Sequence, residues 1–494
     1  MLINKKDANK KSLATNALLS SLKTLTTIIF PLITYPYISR ILDVENIGRV
    51  NFGMSIVSYF SLLGALGLNA FAIRNGSQIR NDLKRINRFA NRVFTINILA
   101  TLLSCALLIF TLFLPTKIAK YRDIILIQGI TVALAPFAVD WIYTIYEDFG
   151  YITLRSFCVH LLSLILMFCF VKRESDIYLY VALTTISTSL GNLFNFFHAK
   201  KYIRLSLVRE TGWKEYRGSV MLFFVNSIAS IIYLNSDTTL LGLMCDDRAV
   251  GLYSVATKIY SIIKQMFNAI IASTIPRLAY LRKNDIKAFI NLIKWIFDMA
   301  SFFIFPVAFG IIILRKEIIV LISGQKYMAA STTLGIFAGC IVFAVMANIL
   351  ANGLLICLGK EEFVLRATLL SAFINVALNF VFIPWLSQNG AAITTLIAEI
   401  IVVSVSIYYA RDYAKDVIDF SELGKSAIGS MVMFLITGVL ANGVISQYGL
   451  AFRIIVSVVL SVFVYAGTMI LIRDRVALYL IKTVREKVGG KMRK

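Results

Sequence analysis

Acidic residues are scarce in this chain of 494: 27 Asp and Glu stand against 50 Lys and Arg, and charged residues of either sign make up only 16%. Histidine occurs twice, proline seven times and cysteine six times. Each shortage excludes something. Cys105, Cys158, Cys169, Cys245, Cys340 and Cys357 are scattered, mostly through apolar segments, with no paired spacing, which excludes a disulfide framework and a zinc site. His160 and His198 have no companion ligand, so both are expected in packing or interfacial roles. There is no Gly-rich loop closed by Lys-Ser/Thr, no His-Glu-x-x-His and no nucleophile elbow. No catalytic residue, metal or cofactor is therefore expected, and no nucleotide domain that would make the chain an ATP-driven pump. The net charge of +23 does not signal nucleic-acid binding, because no loop is long enough to hold a basic, aromatic-bearing soluble module.

What the chain has is apolar length. Hydrophobic residues make up 58% and the mean hydropathy is +0.78, well above a soluble domain. The runs are continuous rather than alternating, which predicts helices and excludes a β-barrel. About fourteen runs are long enough to cross a bilayer: 13–37, 46–68, 90–114, 122–144, 150–171, 177–197, 218–244, 250–275, 290–314, 330–357, 363–385, 389–410, 426–446 and 451–472. The Lys-rich start mimics a signal peptide, but its apolar run is too long and no small-residue cleavage pattern follows, so it reads as the first span. Pro31, Pro36, Pro136 and Pro306 lie inside spans and are expected to bend them. The fold class is an all-α polytopic membrane protein.

The chain also repeats itself. Arg80-Asn81-Asp82-Leu83-Lys84 matches Lys283-Asn284-Asp285-Ile286-Lys287 at an offset of 203. The same offset carries Asp43 to Asp246, Gly48 to Gly251, Ser58 to Ser261, Arg74 to Arg277 and Phe94 to Phe297 without a gap. Two copies of one membrane unit are a common transporter plan, with the substrate path between them. The offset carries the first span onto the seventh, an even number of spans, so both copies should enter the membrane in the same orientation about an axis along its normal. The expected organisation is a first lobe over 1–200, a second over 201–415, and two additional spans with a basic tail over 416–494. With the N-terminus inside, Lys and Arg gather on that side: Lys5, Lys6, Lys10 and Lys11, the loops at 74–92, 200–217 and 277–294, and the tail at 473–494. This asymmetry predicts that both termini are cytoplasmic and that the basic loops face an anionic leaflet of membrane lipid.

Function is expected where polar groups interrupt the spans, since an ionisable side chain at mid-bilayer costs roughly 2.5–3.5 kcal/mol. The eighth span carries Ser254, Lys258, Ser261, Gln265 and Asn268 on one helical face, with Lys264 close by. The second carries Asn51, Ser55 and Ser58 at the repeat offset, without the charge. The first carries Asn16, Ser20, Lys23 and Thr27, and its counterpart Asn226, Ser230, Tyr233 and Asp237. These stripes are expected to line a polar cleft between the lobes, although for the Ser and Thr positions packing by small polar residues is the favoured account. Lys23, Lys258, Lys264 and Arg40 would make the lining cationic and suited to a phosphate-bearing substrate. The acids within spans, Asp237, Asp140, Asp298 and Glu399, are candidates for ion coupling or for partners of the lysines.

Several stretches carry a resemblance: Tyr35-Pro36-Tyr37-Ile38-Ser39-Arg40-Ile41-Leu42 with Ile47-Gly48, Leu66-Gly67-Leu68 with Ala72-Ile73-Arg74, Asp140-Trp141 continuing to Glu147-Asp148-Phe149 and Thr153-Leu154-Arg155-Ser156, Asn235-Ser236-Asp237, Gly251-Leu252-Tyr253-Ser254, and Leu358-Gly359-Lys360 with Asn375, Asn379, Ile383-Pro384 and Gly390-Ala391-Ala392. In this order and spacing they resemble the polysaccharide transporter branch of the multidrug/oligosaccharidyl-lipid/polysaccharide exporter superfamily, the O-antigen and repeat-unit flippases. One departure stands out. Many relatives follow Asp-Trp with Gln-Gly-x-Glu, whereas this chain reads Thr144-Ile145-Tyr146-Glu147, keeping the acid and losing the Gln-Gly pair.

The resemblance implies two six-helix lobes around a central cleft, two added C-terminal helices, and alternating access. It implies transport of a polyprenyl (undecaprenyl)-diphosphate-linked oligosaccharide to the periplasmic leaflet of a bacterial inner membrane, with coupling to proton or cation antiport raised by relatives. A polysaccharide polymerase and a chain-length regulator would be partners. Two alternatives remain. A multidrug cation antiporter of the same superfamily should line its cleft with acids and aromatics rather than lysines. A membrane-embedded polymerase or ligase needs a sizeable outer loop for its acceptor, and the outer loops here are short.

Overall fold

Long helices follow from continuous apolar runs with few breakers, and a computed structural model describing residues 26, 29–443 and 447–491 is helical nearly throughout. Eighteen helices are labelled in chain order: α1 (29–41), α2 (Val44–Ala65), α3 (Leu68–Ile79), α4 (Leu83–Phe113), α5 (Arg122–Leu134), α6 (Asp140–Ile145), α7 (Phe149–Phe170), α8 (Ile177–Ala199), α9 (Trp213–Met244), α10 (Asp247–Asn284), α11 (Ile286–Ser323), α12 (Ala330–Asn348), α13 (Glu361–Leu386), α14 (Gln388–Tyr409), α15 (Arg411–Val417), α16 (Phe420–Asn442), α17 (Leu450–Leu471) and α18 (Arg475–Lys491). Among the described residues twelve helical stretches are long and apolar enough to span a membrane, and each overlaps one expected span. The expected first span lies largely outside the described residues. The eighth lies in α10, which is absent from the twelve because its polar stripe dilutes its apolar length.

The repeat has a local physical meaning. Asp82 Oδ1 accepts from the backbone N–H groups of Lys84 and Arg85 at 3.1 and 3.0 Å, and its counterpart Asp285 Oδ1 accepts from Ala288 N at 3.0 Å. Asp43 and Asp246 form a second pair, accepting from Asn46 N and Ala249 N, each at 2.8 Å. All four aspartates sit at helix starts, where the first amides lack intrahelical acceptors and a cap is worth about 1 kcal/mol. The duplicated polar residues are thus duplicated helix starts.

The chain divides into two compact units, Met1–Gly251 and Leu252–Lys494. In the first, α2 packs against α4, α5 and α9, and α5 against α8. One core of this unit joins Phe71, Ile86, Phe89, Val93, Trp141 and Tyr143. In the second, α11 packs against α12, α12 against α14 and α14 against α13, and α16 and α17 lie on α11. There the Tyr465 hydroxyl donates to the Phe302 carbonyl at 2.7 Å.

Two expected continuous spans are interrupted. The fourth breaks at Pro136 into a 3₁₀ turn, Ala135–Phe137, and Val139 then takes a left-handed backbone (φ 39°) before α6 starts at Asp140. Proline supplies no N–H and removes one intrahelical bond; here the helix breaks, whereas α11 runs on through Pro306. The tenth changes pitch where α12 passes into a π-helical segment, Ile349–Leu355. Such segments are rare and recur at functional sites.

Candidate functional site

In the second unit α10 presents the expected stripe. Ser254 is buried, Lys258, Ser261 and Asn268 are half-buried, and Gln265 is exposed. Ser261 returns its hydroxyl to the Lys258 carbonyl at 2.9 Å. At the far end the Asn348 side-chain amide donates to Asn268 Oδ1, and Asn352 donates to Asn348 Oδ1 at 2.5 Å. The stripe therefore ends on the π-helical segment, tied to it by a ladder of three asparagines.

Two residues expected in different roles meet here. Lys264 Nζ lies 2.7 Å from Glu399 Oε1 of α14, and the Tyr260 hydroxyl donates to the same oxygen at 2.8 Å. Lys264 also donates to the Tyr260 hydroxyl at 3.1 Å. Glu399 is 2% exposed. A carboxylate this buried is tolerable because a cation and a phenol satisfy the same oxygen. Lys264 is thus balanced by Glu399, while Lys258 lies half-buried on the face of α10 between Ser254 and Ser261.

The other expected acids are held as follows. Asp298 pairs with Arg475 at 3.3 Å, and the Asn195 amide donates to Asp140 at 2.5 Å. Asp237 is buried on α9. Glu147, the acid of the altered Asp-Trp motif, has a left-handed backbone (φ 59°) and pairs with Arg80 of the basic loop at 2.8 Å. Asn375, Asn379 and Thr394 interlock between α13 and α14, the Thr394 hydroxyl donating to Asn379 Oδ1 at 2.5 Å.

In the first unit the Asn51–Ser55–Ser58 stripe packs against α9. Thr239 donates to Ser55 Oγ at 3.0 Å and to the Tyr59 hydroxyl at 3.2 Å, while Asn51 returns its amide to the Ile47 carbonyl at 2.8 Å. Ser55 thus has a partner on α9, while Asn51 and Ser58 bond carbonyls of their own helix. Asn226 and Arg40 are exposed. Asn16, Ser20, Lys23 and Thr27 lie outside the described residues.

Sequence reasoning missed a cluster at the first turn of α10. The Asp247 carboxylate accepts from Arg49 Nε at 3.1 Å and from the Tyr121 hydroxyl, with Lys120 Nζ at 3.4 Å. Lys117 donates to the carbonyls of Leu243 and Cys245 in the α9–α10 turn. Beside it the two copies' equivalent residues touch reciprocally. A Cβ on Gly48 would lie 1.8 Å from the Asp247 carbonyl oxygen, and one on Gly251 would lie 2.0 Å from that of Val44. Both pairs carry the offset of 203, so the repeat holds the signal: a glycine kept in both copies four residues after a helix start.

Burial pushes the Asp247 carboxyl up, but the Tyr121 hydroxyl, Arg49 and Lys120 outweigh it and hold it below the usual carboxylate range. A carboxyl lowered in the folded state stabilises fully above its ordinary value of about 3.9 and loses that contribution as pH falls through its folded-state value. Asp247→Asn should therefore lower the melting temperature in detergent at pH 7 and at pH 5 alike, with wild type and variant converging below about pH 3.9. A gap that persists unchanged to pH 3 would show that the cluster is not held by the ionised carboxylate.

Comparison with known proteins agrees with this architecture. A family model described as polysaccharide biosynthesis protein matches residues 13–282. A candidate O-antigen transporter of Escherichia coli K12 is 23% identical over 426 residues, covering 82% of this chain and 98% of its own. A candidate low-salt glycan biosynthesis flippase of Haloferax volcanii, Agl15, is 25% identical over 211 residues, covering 42% and 44%. Among solved structures the lipid II flippase MurJ, in an inward closed conformation, superposes with a TM-score of 0.74 at 16% identity, covering 93% of this chain and all of its own; that likeness concerns the fold. With more than half of its length matched by the family model, this multi-pass membrane protein belongs to the polysaccharide biosynthesis protein family.

Proposed function

We propose that the protein is a flippase that carries a polyprenyl-diphosphate-linked oligosaccharide from the cytoplasmic to the periplasmic leaflet by alternating access. The observation that carries this reading is Lys258. It lies half-buried on the polar face of a long membrane helix, between Ser254 and Ser261. An ionisable side chain within a membrane helix marks a functional face, and a diphosphate crossing the bilayer suits it, because an ammonium binds phosphate as a compact point charge. The same face argues against export of organic cations, which a lysine would repel. Both termini are assigned to the cytoplasm, so the ends of α3, α4 and α9 nearest residues 80–92 and 200–217 face inward. Asp237 is the coupling candidate in this scheme, and a polymerase and chain-length regulator would take the product.

In a strain lacking its own repeat-unit flippase, Lys258→Ala should lower surface polysaccharide at least tenfold at unchanged protein level, with Lys258→Arg retaining most of it. Lys23→Ala, on the companion stripe, should lower it as well. Full complementation by both alanine variants would remove the cationic-face reading.

A further inference from the structure

The first unit carries a cavity of about 390 Å³ that the transport reading does not use. Its walls are Leu63 and Leu66 of α2, Leu99, Leu103 and Leu107 of α4, and Trp213 and Phe224 of α9. It is apolar and open, with Leu99 and Leu103 more than half exposed. Its floor at one end is a close helix contact: Gly67 (φ 68°) touches the backbone between Phe223 and Phe224, where a Cβ would lie 2.7 Å from main-chain atoms.

The mouth is built by an extended segment zipped along α4. Asn87 Oδ1, Asn91 Oδ1 and Thr95 Oγ1, one helical turn apart, accept from the backbone amides of Arg204, Ser206 and Val208 at 3.3, 2.9 and 3.1 Å. Alternate amides are thereby pinned, and Arg209 and Thr211 arrive at the groove edge. Arg92 closes the corner, within 3.0 Å of a Cβ on Gly212 and 3.6 Å from Glu215. Exposed Arg209, Lys214 and Arg217 flank the lining residues Thr211 and Trp213, and exposed Arg88 lies one turn before Arg92. The carboxylates here are Glu210 and Glu215, so cations are in excess. Trp213 sits between the apolar groove and the charged rim, the depth at which tryptophan concentrates in membranes.

We propose that this groove is a binding site for an anionic phospholipid of the leaflet on the basic side, one acyl chain lying along α4 and the headgroup held by the exposed Arg209, Lys214 and Arg217. Length argues for a phospholipid over a polyprenyl chain. Ile96 to Leu107 spans roughly 16 Å at 1.5 Å per residue, about one leaflet of a core about 30 Å thick. An acyl chain ends there, whereas a polyprenyl chain of many isoprene units would overrun it. Charge argues for an anionic headgroup, since clustered Lys and Arg at a membrane surface attract anionic lipid. The assignment of that leaflet as cytoplasmic rests on the topology proposed above; the site itself does not.

Purified full-length protein is titrated with phosphatidylglycerol or phosphatidylethanolamine of identical chains, and bound lipid is counted by native mass spectrometry. Phosphatidylglycerol should be retained at least fivefold over phosphatidylethanolamine. The exposed triple change Arg209→Gln/Lys214→Gln/Arg217→Gln should bring that ratio to one, and Leu103→Trp, which fills the groove, should lower retention of both lipids. Equal retention of the two lipids by wild type overturns the headgroup assignment. Displacement of phosphatidylglycerol by an equimolar polyprenyl phosphate overturns the phospholipid in favour of the substrate's own tail. No transport is measured, so failure of the flippase reading leaves this result standing, and the converse also holds.

Discussion

Gly48→Ala and Gly251→Ala should each destabilise the folded protein far more than a one-carbon change ordinarily does. At both positions the added Cβ meets backbone, 1.8 Å from the Asp247 carbonyl oxygen and 2.0 Å from the Val44 carbonyl oxygen, so no side chain can swing aside. Overpacking typically costs 1–3 kcal/mol. Here the start of α10 must move off α2, and a cost of about 3 kcal/mol or more is expected for either variant. The shift would also draw Asp247 of α10 away from Arg49 of α2 and from Tyr121, which precedes α5. Because both substitutions break one contact, the double variant should cost much less than the sum of the singles. Gly310→Ala is the matched control: it lies inside α11, where an added Cβ meets nothing within 4 Å. It should be neutral or stabilising by up to about 1 kcal/mol, since alanine is the better helix former. Melting temperatures in detergent decide the matter, and a Gly48→Ala protein as stable as Gly310→Ala would mean the two helices do not approach this closely.

Glu399→Ala should be the most damaging single change in the second unit. It leaves Lys264 and the Tyr260 hydroxyl facing a vacated, buried position between α10 and α14. Removing one member of a buried pair costs about 3–5 kcal/mol, most of it the penalty of the abandoned charge. Replacing both members with apolar residues of similar size is far milder. Glu399→Leu/Lys264→Met should therefore recover most of the stability that Glu399→Ala loses, as read from thermal unfolding of the purified proteins. Transport separates the two lysines further. If Lys258 carries the substrate contact and Lys264 only balances Glu399, the apolar double variant should keep measurable flipping while Lys258→Ala does not. A double variant as inactive as Lys258→Ala would place the pair itself in the substrate path.

Much of the architecture was legible because helix and membrane impose periodicities that a linear sequence displays. Apolar runs located twelve of the expected spans, although the helices at Val44–Ile79 and Ile286–Ser323 run about ten residues past their expected ends. The spacing of Ser254, Lys258, Ser261, Gln265 and Asn268 placed them on one face, because 3.6 residues per turn repeats every three or four positions. The offset between Asp82 and Asp285 was visible as repetition, although its reason, the capping of α4 and α11, required hydrogen-bond geometry. Pro136 marked the break in the fourth span; the π-helical segment after Asn348 had no comparable marker.

Partnership across the chain was not legible. Periodicity shows which side of a helix a residue occupies and says nothing of which helix faces that side. Lys264 and Glu399 are separated by 135 residues, and Asp247 and Arg49 by 198, so each acid read alone was as much a coupling site as half of an ion pair. The sequence by itself determined that this is a bundle of membrane helices interrupted by polar and charged residues, because length, apolarity and helical phase are properties of consecutive residues. Only the tertiary structure decided which of those charges are neutralised, where Gly48 and Gly251 let two backbones touch, and where α2, α4 and α9 leave a groove open, because those depend on residues distant in the chain arriving at the same place.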